Sequence, residues 1–249
     1  MKRLALPYYY VMYYASWLSF GLVGLFLNLA CAILLPLPRT ANLQRKTRAS
    51  IRGLFDLWTR WFHATGVLRI KWVGFPAVLP RGTVYIANHP TLLDATLLLA
   101  RMPDAFCIFK QALMRNPCIA PAAILSGYVC GGRDVDTVRE AAEKVAAGQS
   151  LLVFPEGTRT QPGTRLGTLK PGFSLIAHRG RAPIQTVLIR SSPGLVTRGR
   201  PWWSPPNVLP ATLEITFDRL WPYEPDGRTL EQTAQIESYL LSKLPDPVP

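Results

Sequence analysis

The sequence predicts an α/β fold in which a mixed, largely parallel sheet is flanked by helices and preceded by a membrane helix or helical hairpin. Short apolar runs typical of buried strands alternate with amphipathic helical patterns over most of the chain. An uncharged stretch of 35 residues, from 4 to 38, comes before them. We therefore expect a membrane segment over 1–40, a basic amphipathic helix over 41–66 and an α/β domain over 67–249.

The N-terminal apolar stretch is longer than one membrane crossing requires. As a straight helix it would be roughly 50 Å long, whereas a bilayer hydrocarbon core is about 30 Å thick. Tyrosines and Trp17 fill its first half and suit the headgroup region, which leaves residues 18–37 as a span. The alternative is a re-entrant hairpin that bends near Gly21, Gly24 and Asn28.

Basic residues beside the apolar stretch indicate which side of the membrane the domain occupies. The net charge is +13, and residues 1–72 hold ten Lys and Arg against one acid, Asp56. By the positive-inside rule, the domain lies on the cytoplasmic face of the inner membrane. Because this charge adjoins the apolar stretch and no nucleic-acid-binding motif is present, we expect a bilayer with anionic headgroups as partner, and no nucleic acid.

Residues 45–62 predict an amphipathic helix. Its apolar positions recur at helical spacing, and Arg45, Arg48 and Arg52 lie on another face. Such a helix either rests in the membrane interface or packs on the domain core with a solvated basic face. The sequence leaves both open.

The domain alternates strands with helices. Capping boxes that begin at Thr137 and Thr229 predict the starts of two helices, and Gly148 predicts the end of the first. The predicted strands are residues 68–73, 83–87, 105–109, 151–154, 184–189 and 212–217.

A long loop is predicted between the last two strands. Residues 191–210 contain five prolines together with Trp202 and Trp203. These tryptophans either touch the membrane, line an acyl channel or pack in the core.

A polar corner, residues 88–94, follows the second predicted strand. It places His89 and Asp94 five residues apart where a strand gives way to a helix. A histidine can accept a proton near neutral pH, and a nearby carboxylate can fix its tautomer and stabilise the imidazolium. The alternative is an ordinary helix start at which Asp94 complements the helix dipole.

A second polar corner, residues 155–159, follows the fourth predicted strand. Gly157 permits a tight turn, and Thr158 and Arg159 offer a hydroxyl and a guanidinium that suit phosphate. A turn with a solvated arginine is the alternative. Since ligands of open α/β sheets gather at the carboxyl ends of strands, the two corners together predict a binding site.

The remaining reactive residues do not predict a metal or nucleophile site. The four cysteines lack disulfide-like or CxxC spacing, so we expect reduced, mostly buried thiols. The three histidines are too scattered for an evident zinc site, and no GxSxG elbow supplies a nucleophilic serine. We expect neither a metal nor a cofactor.

The two corners resemble the signature of the glycerolipid acyltransferase family, of the 1-acyl-sn-glycerol-3-phosphate and lysophospholipid acyltransferase type. His89 and Asp94 match a histidine, four residues and an aspartate. Residues 154–159 match a Phe-Pro-Glu-Gly-Thr-Arg block without a mismatch. Residues 127–133 are more loosely similar to a glycine-rich segment ending in a substrate-binding arginine, here Arg133.

The resemblance implies transfer of an acyl chain from a thioester, acyl-CoA or acyl carrier protein, to a hydroxyl of a lysophospholipid. The first expectation for the acceptor is 1-acyl-glycerol-3-phosphate, which gives phosphatidic acid. His89 would be the general base and Asp94 its orienter, and direct transfer would need no acyl-enzyme.

The acceptor phosphate would be held by Arg159, with Gly157 and Thr158 shaping the turn. Glu156 would contact a polar group or position Arg159. The resemblance adds Arg133 as a further phosphate ligand, and Lys110, at the end of a strand, is another candidate or a solvated lysine.

Other functions remain open at this stage. Residues 88–94 and 110–117 also resemble acyltransferases linked to aryl-polyene or other specialised lipid pathways, which would use a different acceptor. A non-catalytic lipid-binding protein would tolerate loss of His89. A hydrolase would cleave the thioester without an acceptor.

Overall fold

The computed structural model of the protein describes residues 2–131, 135–192, 194–206 and 208–246. A short 3₁₀ helix, Gln111–Arg115, follows the third strand. The helices are α1 (Lys2–Leu34), α2 (Ala41–Ala64), α3 (Asp94–Arg101), α4 (Ala120–Leu125), α5 (Val135–Ala146), α6 (Gly172–Arg179) and α7 (Thr229–Lys243). The strands are β1 (Leu68–Val73), β2 (Val84–Ala87), β3 (Ala105–Lys110), β4 (Val129–Gly131), β5 (Ser150–Val153), β6 (Ile184–Ser192) and β7 (Ala211–Trp221).

The strands form one sheet in the order β1-β7-β6-β2-β5-β3-β4. Only β6 and β7 pair antiparallel, and every other neighbouring pair is parallel. The predicted class, a mixed and largely parallel sheet flanked by helices, is therefore confirmed. All six predicted strands are present. The sequence did not predict β4, whose three residues are too few to show a period.

Helices cover both faces of the sheet, and β2 lies near its centre. Alternate residues of a strand point to opposite faces. Tyr85 and Ala87 accordingly pack with residues of α2 and α3, whereas Val84 and Ile86 pack with residues of α5, α6 and α7. All four β2 residues are buried between the helices on the two faces of the sheet. The polar residues that follow β2 therefore lie where the chain leaves this core.

The N-terminal apolar stretch forms one uninterrupted helix, α1, so it does not bend near Gly21, Gly24 and Asn28. Residues 6–34 are long and apolar enough to cross a membrane, with a mean hydropathy of 2.1 and 11% of the most apolar window buried. The chain turns after α1, and α2 runs back beside it. The ring of Phe20 lies 4.3 Å from that of Trp58, whose Nε1 donates to the Ser16 carbonyl at 2.8 Å.

Helix α2 packs on the domain through its apolar face. Ile51, Trp58 and Phe62 are buried, which supports the core-packing interpretation of this helix. The expectation that Arg48 belongs to a solvated face is wrong. Arg48 is buried because it forms an ion pair of 2.8 Å with Asp104 and donates to the Ser126 carbonyl at 2.6 Å.

Both predicted capping boxes are displaced. Helix α5 begins at Val135, so Thr137 lies in its first turn and its hydroxyl donates to the Cys130 carbonyl. Helix α7 has Arg228 at its N-cap, because a turn that ends at Gly227 starts the helix one residue early. Gly148 follows α5 with a φ of +89°, as a helix-ending glycine should.

The cysteines are free thiols, but they are not mostly buried. Cys31 is buried and Cys107 is half-buried, whereas Cys118 and Cys130 are exposed. Cys118 follows the short 3₁₀ helix and Cys130 lies in the edge strand β4, so the small residues around them did not indicate burial.

Candidate active site

The two polar corners meet at one edge of the sheet. Strands β2 and β5 are parallel neighbours, so the segments that follow them leave the sheet side by side. The backbone amide of Thr160 donates to the His89 carbonyl at 2.8 Å, and the His89 amide donates to Glu156 Oε1 at 3.0 Å. These bonds join the two motifs directly.

Asn88 fixes the direction in which the chain leaves β2. Its Nδ2 donates to the Ile189 carbonyl at 2.8 Å, and its Oδ1 accepts from the Ile189 amide at 2.7 Å. The side chain therefore extends the pairing of β2 with β6 by one step. His89, the next residue, starts from a rigid support.

His89 and Asp94 form a hydrogen-bonded pair. Nδ1 of His89 lies 2.8 Å from Oδ2 of Asp94. The Asp94 side chain is fully buried, whereas the His89 side chain keeps 17% of its surface exposed. The Thr91 amide donates to Oδ2 at 2.8 Å and the Thr91 hydroxyl donates to Oδ1. Three hydrogen bonds therefore hold the Asp94 carboxylate in one orientation.

The surroundings of Asp94 act on its ionisation in opposite directions. Burial raises the pKa of the Asp94 carboxyl, and the hydrogen bonds from His89 and Thr91 counteract that rise. Asp94 is also the first residue of α3, where the helix dipole favours a negative charge. The helix-start interpretation of Asp94 is therefore supported, and it is compatible with the catalytic interpretation, which stays a prediction.

The pair defines which nitrogen of His89 is basic. An ionised Asp94 accepts a hydrogen bond, so Nδ1 carries the proton and the lone pair lies on Nε2. The ring stacks on Phe154, with centroids 4.1 Å apart and planes at 21°. Since Phe154 directly follows β5, one motif carries the imidazole and the other supports its face.

Glu156 is part of the framework of the site. It keeps 6% of its surface exposed. Oε1 accepts from the His89 amide and from the Thr160 hydroxyl, and Oε2 accepts from the Gly167 amide at 2.7 Å. Arg159 is not among its described partners, so the expectation that Glu156 positions Arg159 is not met. Glu156 positions the backbone of His89 instead.

Arg159 fastens the loop that follows β6. Its Nη1 donates to the carbonyls of Val196 and Thr197 at 2.9 and 3.1 Å. The Val196 carbonyl also accepts from the Leu92 amide. In the part of the chain that is described, Nε and Nη2 have no recorded partner, so three N–H bonds of the half-buried guanidinium remain for a ligand.

Three of the other predicted binding residues, Gly157, Thr158 and Lys110, lie at the same edge of the sheet. Gly157 has a φ of +69° and makes the expected tight turn, and Thr158 beside it is exposed. Lys110 is the exposed last residue of β3, which pairs with β5. Arg133 lies outside the described residues.

The loop itself reaches the N-terminal helix. The Tyr13 and Tyr14 hydroxyls donate to the carbonyls of Trp202 and Trp203. These two tryptophan residues are 48% and 57% exposed, so the core-packing interpretation of them is wrong. Proline-rich backbone leaves these carbonyls without strand partners, and the tyrosines of α1 satisfy them.

Sequence reasoning missed the residues that support the pair. Thr91 could have been predicted, because a hydroxyl three residues before an aspartate at a helix start commonly forms a hydrogen bond with that aspartate. Asn88 and Gly167 act through partners 101 and 11 residues away, and no local pattern indicates those contacts.

Comparison with known proteins agrees with this site. A family model described as acyltransferase matches residues 73–190. Among curated relatives, 1-acyl-sn-glycerol-3-phosphate acyltransferases from Brassica napus (chloroplastic), Cocos nucifera and Helicobacter pylori are 31%, 27% and 30% identical over 47%, 70% and 43% of this chain. The matched segments span 35%, 56% and 48% of those relatives, about half of their length or less.

A solved structure shares the fold over nearly the whole chain. The PlsC acyltransferase of Thermotoga maritima superposes with a TM-score of 0.71 and 20% identity, covering 98% of this chain and 97% of that one. The acyltransferase model and these relatives show that the chain is similar to acyltransferases over the part that contains both motifs. The relatives named here are more particularly 1-acyl-sn-glycerol-3-phosphate acyltransferases.

Proposed function

We propose that the protein is a membrane-associated O-acyltransferase that converts 1-acyl-glycerol-3-phosphate into phosphatidic acid, with His89 as general base. One observation carries the proposal. Nδ1 of His89 lies 2.8 Å from a fully buried carboxylate, which leaves Nε2 as the proton acceptor. The acceptor is that of the relatives, which are 1-acyl-sn-glycerol-3-phosphate acyltransferases, and acyl-CoA or acyl carrier protein would supply the acyl thioester.

The reaction needs one proton to be moved twice. As the acceptor hydroxyl oxygen attacks the thioester carbonyl carbon, its proton passes to Nε2 of His89. The carbon–sulfur bond of the tetrahedral intermediate then breaks, and the thiolate leaves and takes the proton from the imidazolium. Asp94 stabilises that imidazolium, and base catalysis of this kind contributes roughly 10²- to 10⁴-fold in rate.

The acceptor phosphate would be bound beside the imidazole. The unassigned Nε and Nη2 of Arg159 match two phosphate oxygens, and the exposed Thr158 hydroxyl is a further donor. The positive φ of Gly157 brings the backbone of the turn close to that ligand. Arg133 and Lys110 are secondary candidates for the same charge.

Membrane association is supported by the way in which α1 is attached. Its contacts with the domain include the Tyr13 hydroxyl, which donates to the Trp202 carbonyl, and Asn28 Oδ1, which accepts from the Ala122 amide at 3.1 Å. These residues extend along about 22 Å of helix. Because the domain accompanies the helix over this length, we infer that α1 lies within one leaflet. The basic excess near α1 favours anionic headgroups on the cytoplasmic face of the inner membrane.

The test uses the full chain purified in detergent. Labelled acyl-CoA and acyl carrier protein thioesters, including thioesters of polyene acyl chains, are supplied with 1-acyl-glycerol-3-phosphate, other lysophospholipids and sugar-like alcohols, and products are identified by mass spectrometry. Phosphatidic acid should form, and His89→Ala should abolish it.

The matched control is His63→Ala, which changes an exposed histidine of α2. It should keep wild-type activity. Full activity in the His89→Ala protein contradicts the base assignment. Product only with another acceptor contradicts the proposed substrate, and thioester loss without an acceptor indicates a hydrolase.

A further inference from the structure

A second segment lies against the Phe154–Arg159 motif. The Gly167 amide donates to Glu156 Oε2 at 2.7 Å, and the Lys170 amide donates to the Pro155 carbonyl at 2.9 Å. Leu169 between them is buried, and its amide bonds to Glu237. Residues 167–170 are therefore held in register with the motif from both sides.

This register lays the side chain of Lys170 across Gly157. A Cβ added at Gly157 would lie 2.5 Å from Lys170 Nζ and 3.1 Å from its Cε. Gly157 combines this close approach with a φ of +69°. Only glycine therefore satisfies both the turn and the lysine, and the ammonium group is positioned at the turn that contains Thr158 and Arg159.

Within the described part of the chain, the Lys170 ammonium has no acidic partner. Among the salt bridges of the described residues, none includes Lys170. The nearest carboxylate along the motif, Glu156, is buried and already accepts bonds from His89, Thr160 and Gly167. The turn thus presents two cations, Lys170 and Arg159.

We propose that Lys170 is a second phosphate-binding residue of the site and acts together with Arg159 on a substrate phosphate. The inference rests on the proposed function. Two substrates carry the required chemistry: the acceptor has a phosphate monoester, and the donor has the phosphate of its pantetheine arm. A lysine ammonium serves either as a point charge, while the planar guanidinium supplies directed hydrogen bonds.

The decisive variant is Lys170→Met, which keeps the apolar stem over Gly157 and removes the charge. The KM for the phosphate-bearing substrate should rise roughly tenfold or more, because a hydrogen bond to a charged group contributes about 1.5–3 kcal/mol. The kcat should stay within about twofold, since the imidazole is untouched. Lys170→Arg should recover most of the lost affinity.

Two phosphate-free substrates identify which phosphate is bound. A 1-acylglycerol replaces the acceptor, and an acyl-N-acetylcysteamine thioester replaces the donor. If Lys170 binds the acceptor, the effect of Lys170→Met disappears with 1-acylglycerol and persists with the truncated donor. If it binds the donor, the pattern reverses, and either pattern supports phosphate binding.

The control variant is Lys144→Met, which changes a lysine of α5 whose partner is Glu140. It should leave both KM values unchanged. The proposal is overturned if Lys170→Met matches wild type for both substrates, or if it loses activity equally with both phosphate-free substrates. Thermal unfolding of Lys170→Met and Lys170→Gln verifies folding, and a loss confined to Tm would indicate packing alone. Absence of phosphatidic acid from the wild-type protein would instead refute the proposed function.

Discussion

The carboxylate of Glu156 holds the backbone amide of His89 at 3.0 Å, so the second motif sets the position of the first. The backbone amide of Thr160, in the same motif region as Glu156, donates a hydrogen bond to the His89 carbonyl. The backbone of His89 is therefore held through both its N–H and its C=O group. Its ring is held by the hydrogen bond to Asp94 and by stacking on Phe154. The site consists of the imidazole and the peptide framework that holds it.

Asp94→Asn should separate charge from geometry. The amide oxygen can accept from the Thr91 amide and from His89 Nδ1, and the amide nitrogen can donate to the Thr91 hydroxyl. The arrangement survives, but the imidazolium loses its counter-charge. We expect kcat to fall by about 10²- to 10⁴-fold in the product assay.

The stability of the same variant follows from the sign of the pKa shift. Burial raises the pKa of Asp94, so the native state binds its proton more tightly than the unfolded chain does. Stability from this group is therefore greatest at low pH and is lost as pH rises through the native pKa. Asp94→Asn should remove that dependence and keep or raise Tm at pH 7. A large fall in Tm at neutral pH would contradict this account.

Glu156→Gln should disturb the framework. The new amide can accept from His89 and Thr160, but its NH₂ group then faces the Gly167 amide, donor against donor. We expect a loss of about 1–3 kcal/mol in stability, roughly 2–10 °C in Tm, together with a reduced kcat. Glu143→Gln, on an exposed position of α5, is the control and should change neither quantity. Equal behaviour of the two variants would refute the role of Glu156.

Arg159→Lys should affect both the substrate and the loop. A lysine keeps the charge but loses the planar fork, so it cannot hold the Val196 and Thr197 carbonyls and bind phosphate together. We expect the KM for 1-acyl-glycerol-3-phosphate to rise about tenfold, since the lost bonds are charge-assisted. Hydrogen exchange at the Leu92 amide should accelerate. A change in acyl-chain preference alone would argue against phosphate binding.

Removing the hydroxyls of Tyr13 and Tyr14 should release the loop from α1. Each hydrogen bond contributes about 1 kcal/mol, so the double Tyr→Phe variant should expose the loop more often. Trypsin should then cleave faster after Arg198, an exposed residue between the two attachments. Tyr8→Phe breaks a similar tyrosine–carbonyl bond, to Thr65, away from the loop. Identical cleavage rates in both variants would show that the tyrosines do not hold the loop.

The sequence was most informative where structure is local. The apolar runs of β2 and β5, each ending at a polar residue, sufficed to predict two strands and the edge where they meet. The His89–Asp94 pair spans five residues and one helix start, so its geometry follows from the local chain. Strand β4 was not predicted, because it forms through pairing with β3 and its own three residues show no pattern.

Long-range contacts account for the failures. Arg48 has the periodicity of a surface residue, and its burial depends on Asp104 and the Ser126 carbonyl, 56 and 78 residues away. Lys170 and Gly167 reach the motif because an intervening loop folds back, which no residue pattern in that loop indicates. The same holds for Arg159, whose loop partners lie 37 and 38 residues further along the chain.

The two attachments of the loop that follows β6 have a practical consequence. Deleting residues 1–40 is a common route to a water-soluble protein. Here the deletion would remove the tyrosine hydroxyls that bind the Trp202 and Trp203 carbonyls. The end of the loop that lies away from Arg159 would then be free. Such a shortened protein would lose more than an apolar helix, because the loop beside the Arg159 guanidinium would no longer be held in place. Inhibitor screens and crystallisation trials should therefore keep the first helix, even at the cost of detergent.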